Sequence, residues 1–208
     1  MSQLTKEIAL NAQKCDGWKF GNDILYRMCQ DFPKHDTSSQ IVGKIWLIGR
    51  SYAAAIERRK TGVAGIPEGD DFYFDRVAPF VIESDIDAWI QSIGVKELPN
   101  NDNLDRIVDA HWRVTDLFLK ISGQEKRSLA SKYLHFHRPE AFFIYDSRAV
   151  SAISKYKAIT GRASKSDQRC DGEYRKFYFK CLKLQKYVHD IYDVYLTPRE
   201  IDNLLLTR

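Results

Sequence analysis

No stretch of the 208-residue sequence reaches the roughly 18 consecutive apolar residues that a bilayer span requires. Nor do the opening residues hold the apolar core of a secretion signal, because Lys6, Glu7, Asn11, Lys14 and Asp16 interrupt them. These absences predict a cytoplasmic protein with no membrane partner. Cysteine is scarce and scattered: Cys15, Cys29, Cys170 and Cys181 form no C-x-x-C pair, which argues against a zinc site or a redox dithiol and predicts free thiols. Low-complexity sequence is missing too, and so is strand alternation. Phe72-Tyr73-Phe74 and Ala141-Phe142-Phe143-Ile144-Tyr145 are the compact aromatic runs, and both are too short to argue for a sheet. The patterns G-x-x-x-x-G-K-[ST], H-E-x-x-H and G-x-S-x-G do not occur. His135 and His137 stand two apart, about 200° around a helix, so they cannot share a metal as an i, i+4 pair does. Neither a metal nor a cofactor is expected.

What the chain does have is helical periodicity. Ile8-Ala9-Ala12, Ile24-Leu25-Met28, Ile45-Trp46-Ile48-Tyr52-Ile56 and Leu104-Ile107-Val108-His111-Trp112-Leu117-Phe118 each set apolar groups three or four apart. With 44% hydrophobic and 29% charged residues, this predicts a single all-α globular domain spanning the chain. The helix ends are marked. Thr197-Pro198-Arg199-Glu200 combines a capping Thr, Pro at the first helical position and Glu three residues after the cap, so a last helix starts there. Asn100 to Asn103 open a long helix to Ile121, which Gly123 closes. A further helix is expected from Ile45 to Arg59, its small residues Gly49, Ser51, Ala53, Ala54 and Ala55 admitting a close neighbour, with Arg50 either a paired cation or a phosphate ligand. Thr61 to Asp71 and Thr160 to Gly172 read as loops, the second carrying Arg162, Lys165 and Arg169.

Charge is unevenly spread. Lys120 to Arg208 hold 18 basic and 10 acidic side chains, +8, while the preceding residues hold 14 and 18, −4. A basic half suits a polyanionic partner, and solvated helix faces produce the same count.

Chemistry concentrates between Gly123 and Ile153. On a helix from Gln124, Leu129, Tyr133, Phe136 and His137 share a side, with Lys126 at its centre and Lys132 at its edge. An amine on an apolar face either snorkels to water or is held at lowered pKa as a nucleophile. Pro139 ends that helix, and the aromatic run crosses the core as an extended link. Asp146 follows as the N-cap of a helix beginning Ser147-Arg148-Ala149, with its carboxylate set to face a cleft.

The order of helix, glycine turn, helix and apolar run ending in Asp resembles the helix-hairpin-helix DNA glycosylase superfamily. Ser131-Lys132-Tyr133-Leu134-His135-Phe136-His137, followed by Ile144-Tyr145-Asp146-Ser147-Arg148, is more closely similar to the 8-oxoguanine-glycosylase-fold proteins that accompany bacterial antiphage operons. The resemblance implies a cytoplasmic base-excision hydrolase that binds DNA and extrudes a modified purine into a pocket lined by Trp112, Tyr133 and Phe136. It implies that Asp146 stabilises positive charge on the sugar while Lys126, Lys132 or a water attacks. Gly123, Arg127, His137 and Arg148 complete the expected binding set, and other defence-operon proteins are the implied partners. Two positions depart from the family pattern: Glu125 stands where its hairpin has a second glycine, and Arg127, which cannot form an imine, where it has lysine. Two other readings remain. One is a non-catalytic protein that keeps the pocket and binds a nucleobase or nucleotide. The other is a basic adaptor using the face from Lys155 to Lys186, where Tyr174, Phe177, Tyr178, Phe179 and Tyr187 interleave with Arg175, Lys176, Lys180, Lys183 and Lys186.

Overall fold

The computed structural model describes residues 4–14, 17–58, 71–161 and 171–206, which excludes Cys15, Cys170, most of the two long loops and Arg162, Lys165 and Arg169. The described residues form helices and no strand. In order they are α1 (Lys6–Lys14), α2 (Lys19–Asp31), α3 (Ser38–Ser51), a π-turn (Tyr73–Val77), α4 (Ala78–Ile82), α5 (Ile86–Gln91), α6 (Leu104–Ser122), α7 (Arg127–His137), α8 (Ser147–Ile153), a 3₁₀ turn (Ser154–Tyr156), α9 (Lys157–Thr160), α10 (Gly172–Tyr192) and α11 (Pro198–Leu206). No helix among them is long and apolar enough to cross a membrane. The all-α expectation holds.

The hub is α6 against α7. The face of α6 that carries Ile107, Val108, Val114, Phe118 and Ile121 is fully buried, and α7 is buried from Leu129 through His137. Gly123 closes α6 at φ 70°, a left-handed conformation that glycine adopts without a Cβ penalty. Nearby, Arg76 of the π-turn donates to the carbonyls of Ile121 and Lys120 at 2.7 and 2.9 Å, satisfying two acceptors of the α6 C-terminus. The π-turn itself follows from Pro79, which has no N–H to give to Asp75, so the ladder is carried by the Ala78 N–H to the Tyr73 carbonyl.

From 142 to 146 the chain runs without regular structure, though Phe142, Phe143 and Ile144 are buried. Such a link is tolerable only if side chains serve its backbone. Tyr178 donates to the Ala141 carbonyl at 2.9 Å, His135 Nδ1 to Phe142 at 2.9 Å and Tyr174 to Phe143 at 3.0 Å. Ser131 Oγ takes the Tyr145 N–H at 3.0 Å. The two ends of the chain meet where α1 packs on α11: Asn203 donates to the Ala12 carbonyl and Gln13 to the Tyr195 carbonyl.

Two helix expectations are corrected. The helix through Ile45 stops at Ser51 and does not continue to Arg59; the chain turns back at Ala53, φ 51°, and places Ala55 Cα 3.1 Å from where a Gly49 Cβ would stand. The close approach that the small residues allow is therefore to the following turn. Arg50 is half-exposed and pairs with Glu57. The second correction concerns α7, which starts at Arg127 and not near Gln124. Lys126 occupies its N-cap position, and its ammonium donates to the Arg58 carbonyl, off the apolar face.

Candidate functional site

The Asp146 carboxylate does two jobs. Its Oδ1 accepts the Ala149 N–H at 2.9 Å, capping α8, and its Oδ2 lies 3.4 Å from Lys132 Nζ. Lys132 is 2% exposed and also donates to Ser128 Oγ at 2.8 Å. Burial lowers its pKa, and Asp146 opposes that shift without cancelling it. Tyr52 lays its ring 5.7 Å below this ammonium and 5.9 Å from the Arg199 guanidinium. Arg199 in turn donates through one terminal nitrogen to Asp202 Oδ2 at 3.0 Å. Asp202 is 3% exposed, and burial raises its carboxyl to about 6 despite Arg199. Lys132 from α7, Asp146 and Arg148 from the start of α8, and Arg199 and Asp202 from α11 thus form one cluster of interacting charges.

On the Arg199 side the cluster opens. A cleft of about 720 Å³ lies between α2 and the segments 139–140 and 197–199, lined by the aromatic faces of Phe20 and Tyr26 and by Lys19, Arg27, Asp23 and Arg199. Phe20 is 76% exposed at its rim. Tyr26, deeper in, donates to His135 Nε2 at 2.6 Å while His135 Nδ1 donates to Phe142, which fixes that imidazole as the Nδ1–H tautomer.

Lys132, Asp146 and Arg148 therefore come together, with Arg148 on the exposed side of α8. The other residues expected at the site lie elsewhere. Arg127 clamps the loop before α10, its Nε 2.9 and 2.7 Å from the two oxygens of Asp171, and it also pairs with Glu125. Asp171 is the N-cap of α10, so this guanidinium is a structural clamp and not a phosphate ligand. Gly123 is the α6 terminator whose neighbouring carbonyls Arg76 holds. Tyr133 and Phe136 are closed in the core, and the Tyr133 hydroxyl donates to His35 Nε2 at 2.6 Å. His137 is buried between the rings of His35 and Tyr133. Trp112 is half-buried on α6, beside His111, whose ring stacks on Tyr174 at 3.5 Å. On α10, Tyr174, Phe177 and Tyr178 are core residues, and Arg175, Lys176 and Lys186 pair with Asp105, Glu173 and Asp190, which removes much of the basic stripe.

Sequence reasoning passed over Asn22, Tyr26, Tyr52, Arg199 and Asp202. A signal for the last was present: Pro198, Ile201, Asp202 and Leu205 share the buried stripe of α11, and a carboxylate at such spacing needs a partner. Among the described residues no group of three or more His, Cys, Asp or Glu is placed to hold a metal ion.

Comparison with protein-family models, curated proteins and solved structures finds no match. The terms DNA glycosylase, 8-oxoguanine, helix-hairpin-helix, base excision and hydrolase, which rested on thirty residues of resemblance, are accordingly withdrawn, and the link to antiphage operons goes with them. With Lys126 and Arg127 both engaged by the protein's own groups, the Gly123 turn also offers no phosphate cradle of the kind the resemblance implied.

Proposed function

We propose that the protein binds a nucleotide in the cleft beside α2, with the heterocycle held against Phe20 and Tyr26 and the phosphate reached by Lys19 or Arg27. The observation that carries this reading is the continuity of the cleft with the buried charge cluster through Arg199. Aromatic faces with nearby cations suit a base and its phosphate, because stacking is tolerant of base identity and the cations answer the negative charge. A buried cluster of five charged groups is weak evidence for stability, since desolvation offsets most of the attraction, and such clusters concentrate at sites that work on a ligand. The reading is one of recognition; bond cleavage forms no part of it.

Thermal shift and calorimetry with the four nucleoside 5′-monophosphates test it. Binding to the native state raises the melting temperature by mass action, by about 2.7 kcal/mol of stability at a hundredfold excess over Kd. Phe20→Ala and Arg27→Ala, both at exposed or cleft positions, are expected to weaken binding about tenfold each without altering the unliganded melting temperature. Absence of any shift at millimolar nucleotide, or binding indifferent to both variants, defeats the reading.

A further inference from the structure

On the inner wall of the cleft, Arg199 and Asp202 meet by a single hydrogen bond, although a guanidinium and a carboxylate can make two in parallel. The consequence is a pair of orphans: Arg199 Nε and Asp202 Oδ1 are both buried and have no hydrogen-bond partner among the described residues. A third is Asn22 Nδ2, on the other side of Tyr52, whose hydroxyl donates to Asn22 Oδ1 at 2.7 Å. Native proteins leave few such groups unpaired, and each costs about 1–3 kcal/mol when left so. Three of the six orphaned side-chain atoms in the described residues surround the one ring that also faces Lys132 and Arg199.

The chemistry of the orphans is specific. Arg199 Nε is a donor that can never accept, and the ionised Asp202 Oδ1 is an acceptor that can never donate. Donor beside acceptor is the complement of a ring edge that carries C=O beside N–H. We infer that the cleft reads a cyclic lactam or imide edge, as on uracil or hypoxanthine, with Arg199 Nε donating to the ring carbonyl and Asp202 Oδ1 accepting the ring N–H. An amidine edge such as that of cytosine N3 or adenine N1 presents an acceptor where Asp202 also presents one, so the two repel. The inference rests on the reading that this cleft binds a nucleotide and supplies the base that reading leaves open. Sites that hydrogen-bond a substrate group discriminate strongly against an analogue lacking it, because their own buried groups are then unpaired.

The ligand itself can be varied first, which leaves the fold untouched. Uridine and inosine 5′-monophosphates are expected to bind at least tenfold tighter than the cytidine and adenosine counterparts, and N3-methyluridine monophosphate, which has lost the ring N–H, to bind at least tenfold weaker than uridine monophosphate. Asp202→Asn then reverses the code. The guanidinium takes only an acceptor, so the amide turns its oxygen to Arg199 and its N–H₂ to the ligand, and cytidine monophosphate, with acceptors at both O2 and N3, overtakes uridine monophosphate. Equal affinity for all four nucleotides, or for the methylated and unmethylated uridine forms, overturns the lactam code while nucleotide binding stands. Failure of every nucleotide to bind at millimolar concentration overturns both, and leaves the three orphans to buried water.

Discussion

Lys132 and Asp146, fourteen positions apart in the chain, meet at 3.4 Å in a place where the ammonium has lost nearly all contact with solvent. Removing the carboxylate therefore strands a charge. Asp146→Ala is expected to cost about 4 kcal/mol, combining an uncompensated buried cation with a lost N-cap. Asp146→Asn, which still caps, should cost less, and Lys132→Met less again because Asp146 keeps some access to water. Urea unfolding of the three variants checks this order. A cost for Asp146→Ala no larger than the ~1 kcal/mol of an ordinary cap would mean that Lys132 reaches solvent after all.

Acid sensitivity follows from the imidazoles. Burial lowers His35, His111 and His135 to about 4, and lowers His137 well below its usual value. Each must stay neutral to remain folded but takes up a proton once exposed, so its stabilisation is complete above the unfolded value of about 6.5 and is lost as pH falls toward 4. At about 3 kcal/mol each, the three groups near 4 alone approach the 5–15 kcal/mol stability of an ordinary domain. Asp202 works in the opposite sense: raised to about 6, it contributes fully below its unfolded pKa near 4 and loses that contribution as pH rises through 6. Being one group against four, it does not reverse the trend. The unfolding free energy should fall continuously from pH 6.5 to pH 4.5, and a flat profile over that range contradicts the burial of these rings.

Tyr174→Phe and Tyr178→Phe each delete one hydroxyl and leave a buried carbonyl of the 141–146 link without its donor. A loss of about 1–3 kcal/mol is expected for each. The double variant should also weaken nucleotide binding, since the link carries Asp146 into the cluster. Unchanged affinity in a folded double variant would show that α8 holds Asp146 without help from α10.

Features whose causes lie within four residues were legible in the sequence. The Thr197 and Glu200 side chains cap α11 reciprocally as their spacing requires, with Thr197 N–H bound to Glu200 at 2.7 Å, and Gly123 and Asp146 end and begin helices for equally local reasons. What stayed hidden depends on partners far along the chain. Lys44 reads as a polar interruption between Ile41 and Ile45, yet its ammonium is buried and ties together the carbonyls of Phe32 and Lys34 after α2. The fate of Arg127 depends on Asp171, 44 residues on, and the orphaned edge of Asp202 depends on which of two geometries Arg199 adopts. Spacing rules reach one helical turn; these pairings are set by how the helices dock.

The closure of α1 on α11 gives the cleft an unusual dependence. The helix that supplies Arg199 and Asp202 is held in place by the opposite end of the chain, through Asn203 to Ala12 and through Tyr192 to Leu4. The two termini should therefore open as one cooperative unit, and every such opening dismantles the inner wall of the site. A ligand in the cleft then protects a distant helix it never touches: amide exchange in α1 slows when α11 is occupied, and loosening α1 shortens the residence time of whatever the cleft has bound.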